Sequence, residues 1–85
     1  MYTIKYMSSV VKKDIPKIAS KNRQSIKNAI EQKLTDHPIE FGKPLQYSLK
    51  GLRRLRVGPY RVIFQIEKNI VLIVKIGHRN EIYDS

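Results

Sequence analysis

Five of the six arginines of this chain, Arg53, Arg54, Arg56, Arg61 and Arg79, fall in its C-terminal half, whereas the lysines are spread mainly through the first two-thirds. A guanidinium is a planar, permanently charged fork that grips phosphate in two places, while a lysine ammonium is a mobile point charge. His78 stands directly before Arg79, and Tyr83 lies among the last three residues. Imidazole exchanges protons near neutral pH. These side chains suit one chemistry that needs nothing else from the protein. RNA carries its own nucleophile, the 2′-hydroxyl beside each phosphate. Cleavage requires that this group be positioned and deprotonated, that the phosphorane charge be stabilised, and that the leaving 5′-oxygen be protonated. Fixed donors aimed at developing charge often contribute most, about 10²–10³ in rate for each one. A cluster of arginines with one histidine and one tyrosine can supply all of these roles.

Other chemistries are poorly served. Cysteine is absent, which excludes disulfides, thiolate nucleophiles and cysteine zinc sites. His37 and His78 are far apart and acids are few, so no metal or other cofactor is expected. Gly51, Gly58 and Gly77 are isolated and form no phosphate-cradling loop. The 17 basic against 7 acidic side chains give a net charge of +10, which calls for a polyanionic partner such as nucleic acid or an acidic protein. A chain of 85 residues is expected to form one domain, 1–85, with a thin core. The longest apolar stretch, Ile70–Val74, has strand length, and the start Met1–Tyr6 lacks the apolar segment of a secretory signal. A soluble cytoplasmic protein with no membrane partner is the expectation.

The candidate residues sit on a segment with a period of two. Leu55, Val57, Tyr60, Val62, Phe64 and Ile66 alternate around a Gly58-Pro59 turn signal. A symmetric turn pairs Val57 with Tyr60 and Arg56 with Arg61, leaving Arg54, Arg56 and Arg61 on the face away from the core. Like charges opposed across a sheet repel, and an anion meant to meet them accounts for the pair. The next turn is expected to be the three-residue loop Glu67-Lys68-Asn69 with Asn69 left-handed. Ile66 then pairs with Ile70. Ile70, Leu72, Val74 and Ile76 join the core side, and Val71, Ile73, Lys75, Gly77 and Arg79 join the arginines. A two-residue loop would exchange these sets. Ile63, Val71 and Ile73 would be an apolar patch on the open face.

Upstream, Thr3–Met7 reads as a first strand. Val10, Val11, Ile15 and Ile18 mark a helix with Ser8 or Ser9 as cap, which Pro16 must kink or cut short. A second helix, Lys21 to about Thr35 with Ser20 as cap, carries the stripe Ile26, Ala29, Ile30 and Leu34 and ends at His37-Pro38. Ile39–Lys50 reads as a loop or short irregular strand. The expected architecture is a two-layer α+β fold: one strand, two helices, then three or four mostly antiparallel strands.

The runs Leu55-Arg56-Val57-Gly58-Pro59-Tyr60-Arg61-Val62-Ile63-Phe64 and Ile76-Gly77-His78-Arg79-Asn80-Glu81-Ile82-Tyr83, with Val11-Lys12-Lys13-Asp14-Ile15 in the first helix, resemble the RelE family of type II toxin–antitoxin systems. The resemblance covers essentially the whole chain. It implies a RelE-like, microbial-RNase-like fold. It implies a ribosome-dependent mRNA endonuclease (an mRNA interferase) that works without metal and is inhibited by an acidic RelB-like antitoxin in a hetero-oligomer. Carried over by position, Arg61 and Arg79 match phosphate-stabilising arginines, and Tyr83 matches a tyrosine that stacks on a base and takes part in proton transfer. Arg54 and Arg56 stand where some members have lysines, and with Lys75 they are candidate RNA-binding residues. Arginine holds its proton too firmly to act as a base, so His78 is the candidate base. Two alternatives stay open: a ParE-like toxin that binds DNA gyrase and cuts nothing, and a basic RNA-binding module without catalysis.

Overall fold

A computed structural model of the chain describes residues 1–45 and 51–82. Strand β1 (Thr3–Tyr6) leads into a helical segment made of a wide π-helical turn, Val10–Asp14, and a tight 3-10 turn, Ile15–Lys17. Helix α1 (Ser20–Ala29) runs on through a second π-helical turn, Ile30–Leu34, and a single-turn helix α2 (Pro38–Phe41) follows. Strands β2 (Lys43–Pro44), β3 (Arg53–Val57), β4 (Tyr60–Glu67) and β5 (Ile70–His78) complete the fold. They form one sheet in the order β1-β5-β4-β3-β2, antiparallel except that β1 runs parallel to β5. The α+β architecture agrees with the expectation, and among the described residues four strands follow the helices.

Pro16 shortens the first helical segment. It sits in the 3-10 turn, and the chain is extended by Ile18. Neither serine signal acts as expected: Ser9 makes no capping bond, and Ala19 is the cap residue of α1, with Ser20 already helical. The stripe of the second helix is buried as expected at Ile26, Ile30 and Leu34. Pro38 does more than end that helix. It opens α2 at a position where its missing N–H costs no hydrogen bond, so the start of the expected 39–50 loop is helical. Residues 46–50 of that loop lie outside the described residues.

The β3–β4 hairpin has the expected register, with Val57 opposite Tyr60 and Arg56 opposite Arg61. Gly58 has φ +57. Proline next to it can take only negative φ, which leaves the II′ turn that suits a right-twisted hairpin. The β4–β5 hairpin differs from expectation. Glu67 pairs with Ile70 across the two-residue turn Lys68-Asn69, and Lys68, not Asn69, is left-handed with φ 56. Val71 and Ile73 therefore belong to the buried helix-side core and form no patch on the open face. A β-bulge then shifts the register: Phe64 pairs with Ile73 but Ile63 with Lys75, leaving Val74 as the extra residue. The bulge exchanges the faces a second time. Ile76 reaches the core and Gly77 the face of Arg61, the sides the longer loop would also have given them, although that loop would have set Lys75 opposite Arg61 where the structure has Gly77.

The core brings Val10, Ile18, Ile26, Ile30 and Leu34 from the helices against Leu55, Val62, Phe64, Val71, Ile73 and Ile76 of the sheet. Gly42 lets the chain after α2 pass over Phe64, since a Cβ there would come within 2.1 Å of the ring.

Candidate active site

Arg61 is buried, 8% exposed, on the sheet face opposite the helices. Its Nη1 donates to the carbonyl oxygens of Gly58 (3.2 Å) and Tyr60 (3.1 Å). The II′ turn thus presents two carbonyls to a guanidinium that follows it in the chain. These carbonyl acceptors orient the guanidinium. Arg79 is tied to the same turn from the other side, its backbone N–H donating to the Pro59 carbonyl at 2.8 Å. Both arginines of the expected phosphate site are therefore anchored to one turn, Gly58-Pro59-Tyr60. Arg56 faces Arg61 across the hairpin and is exposed; Arg54 shares that face, half-buried, opposite Ile63.

Gly77 completes this corner. It pairs with Arg61, and a Cβ there would lie 3.1 Å from Ile82 Cδ1. The turn after β5, closed by the Glu81 N–H to the His78 carbonyl at 2.8 Å, folds Ile82 onto that glycine.

One expected member, His78, stands elsewhere. His78 pairs with Tyr60 on the helix side of the sheet, ring centroids 5.7 Å apart and edge to face, so alternation separates it from Arg61. Its Nδ1 accepts the Asn80 N–H at 3.2 Å. The neutral imidazole consequently carries its proton on Nε2 and cannot take another there. This geometry counts against His78 as the base. Lys75, opposite Ile63, is on the same sheet face as Arg61, as expected, and its Nζ lies 3.4 Å from Asp14 Oδ1. Tyr83 lies outside the described residues.

Arg53 donates from Nη1 to the Gly42 carbonyl at 2.8 Å and ties β3 to the chain after α2. Asp14 was not among the candidates, yet it is buried and bonded to β5. Its signal was available: it is the sole acidic residue before Glu31.

An apolar groove of about 460 Å³ lies between the first helical segment and α1, lined in part by Tyr6, Val11, Ile15 and Ile26. None of Arg54, Arg56, Arg61 or Arg79 lines it. The charged cluster is a surface, and a surface suits a polymer better than a small molecule. No described helix is long and apolar enough to cross a membrane. Among the described residues no three His, Asp or Glu side chains are grouped to hold a metal ion.

A basic sheet face, with the Arg61 side chain and the Arg79 backbone bonded to one hairpin turn, lies on an α+β fold of this strand order. The family model described as the ParE toxin of type II toxin–antitoxin systems matches residues 6–83, and the chain belongs to this RelE/ParE family of toxins. It is 29% identical over 84 residues to toxin RelG of Mycobacterium tuberculosis, an alignment spanning 96% of this chain and 95% of the relative. Among solved structures, the toxin–antitoxin complex RelBE2 of M. tuberculosis matches with a TM-score of 0.83 and 26% identity, over 92% of this chain and 98% of the other. Isolated Escherichia coli RelE shares the fold at a TM-score of 0.74 and 21% identity, over 92% of this chain and 84% of the other.

Proposed function

We propose that this toxin is a metal-independent endoribonuclease that cuts mRNA on the ribosome. Arg61 and Arg79 hold the scissile phosphate and stabilise its extra charge as the 2′-oxygen attacks phosphorus and the bond to the 5′-oxygen breaks. Arg56 and Arg54 grip the RNA backbone beside it, with Lys75 at the rim. Tyr83 stacks on a base and relays the proton, and His78 offers only its Nε2 proton. The observation that carries this reading is the joint anchoring of Arg61 and Arg79 on the Gly58-Pro59-Tyr60 turn. The ribosome supplies substrate orientation, which by itself contributes about 7–11 kcal/mol to a barrier. The toxin acts in the cytoplasm, where ribosomes are.

An acidic antitoxin is the proposed inhibitor, laid over the basic sheet face. The complexes of RelBE2 and of RelB–RelE from Methanococcus jannaschii, which share this fold, pair such a toxin with an antitoxin. The matching family model carries the ParE name, and this supports a second reading, a gyrase-directed toxin.

Purified protein added to mRNA-programmed ribosomes tests both. Cleavage in the decoding site is expected, with Arg61→Ala lowering its rate about 10²–10³-fold while the circular dichroism spectrum is kept. Wild-type rates in that variant would overturn the site. Accumulated gyrase–DNA complexes with uncut mRNA would establish the second reading instead.

A further inference from the structure

β1 accompanies β5 only as far as Ile73, where the Met7 N–H meets the Ile73 carbonyl at 3.0 Å. Past that point no strand among the described residues lies beside the outer edge of β5, and the segment carries Ile76, Gly77, His78 and Arg79. An amide directed to such an edge needs an acceptor. Ile76 N–H finds one in Asp14 Oδ2 at 3.0 Å, from a residue 62 positions earlier in the chain. The other oxygen, Oδ1, takes Lys75 Nζ at 3.4 Å.

Local structure explains why this carboxylate is available. Asp14 precedes the 3-10 turn at a position where aspartate ordinarily caps the following amides, yet it makes no capping bond. Pro16, two residues on, has no N–H to offer. The side chain turns to the sheet and is 7% exposed there. It meets β5 just past the bulge at Val74, the place where the register changes and decides the faces of Gly77 and Arg79.

We infer that Asp14 is a positioning residue for Arg79: its carboxylate takes the place of the missing strand and holds the bulged end of β5 against β4, so that Arg79 arrives at the Gly58-Pro59-Tyr60 turn beside Arg61. This rests on the nuclease reading of the arginine site. Asp14 touches no substrate in it.

The test combines amide hydrogen exchange with single-turnover cleavage on programmed ribosomes. In Asp14→Ala, exchange at Ile76 and Arg79 is expected to accelerate at least tenfold while Val62 and Phe64 stay protected. The cleavage rate constant at saturating ribosomes should fall at least tenfold, with half-saturation changed less than threefold. Asp14→Asn keeps an oxygen acceptor for Ile76 and should stay within threefold of wild type in both. Should Asp14→Ala not fold, a backbone ester replacing the Val74-Lys75-Ile76 segment's Ile76 amide, made by semisynthesis, removes the same bond and should show the same losses. Unchanged protection at Arg79, unchanged cleavage after its loss, or an Asn variant as impaired as Ala would each overturn the inference. A wild-type protein that cuts no mRNA overturns the nuclease reading, and the Arg79 role with it. A wild-type protein that cuts, with Asp14→Ala its equal, overturns the positioning role alone.

Discussion

Asp14 and Arg61 are the buried charged side chains among the described residues, and each is held by hydrogen bonds to backbone. A buried charge is costly unless such partners receive it. Two carbonyls of a tight turn are among the groups that receive Arg61, and the Ile76 amide and Lys75 receive Asp14, all toward the His78 end of β5. A third group, Tyr6, responds to its surroundings in a measurable way. Burial, and then the nearby Glu31 carboxylate, push its hydroxyl above the ordinary value of 10.0. The folded state therefore holds this proton more tightly than the unfolded chain does. The resulting stability is complete below about pH 10 and is lost as pH rises through the folded value. Urea titrations across this range should show the unfolding free energy of wild type declining more steeply than that of Tyr6→Phe. Parallel curves would show that Tyr6 does not couple folding to the proton.

At the scale of elements, the two hairpins contrast. Gly58-Pro59 supplies a positive φ and a fixed negative φ at the positions a II′ turn requires. Lys68 occupies a left-handed position with φ 56 without that freedom. A non-glycine residue there costs about 1–2 kcal/mol. Glycine would remove the strain but lose about 0.5–1 kcal/mol to its greater freedom in the unfolded chain. Lys68→Gly should thus stabilise the fold by up to about 1 kcal/mol, raising the melting temperature by about 4–8 °C. A lower melting temperature would mean that the lysine side chain makes a contribution exceeding the strain. The bulge at Val74 has the opposite character. It breaks the ladder, and it is what returns Gly77 to the face of Arg61 after the short turn has reversed it.

For the whole molecule, the net charge of +10 governs encounter more than fold. If RNA is the partner, affinity for ribosomes should fall linearly on a log–log plot against salt. A loss on the order of 10³ between about 50 and 200 mM is expected for six phosphate contacts. A shallow dependence would favour a protein target such as gyrase. The apolar groove beside α1 and the basic sheet face lie on opposite sides of the sheet, so the molecule offers two chemically distinct surfaces.

The strand–helix–strand order, the buried stripe of the second helix and the Arg56–Arg61 pairing were legible in the chain because each follows from local periodicity. A glycine-proline turn leaves one solution, and apolar spacing leaves one face. The family was legible in the runs around Arg61 and Arg79. The register of β5 was not, since Glu67-Lys68-Asn69-Ile70 accommodates two loop lengths and a bulge leaves no mark in an alternating pattern. The helix-side place of His78 followed from its alternation with Gly77 and Arg79, but the bond from Asp14 to Ile76, which joins distant segments, was not legible. Such features are settled by which strand runs out first and which buried amide then needs an acceptor, and only the folded chain decides that.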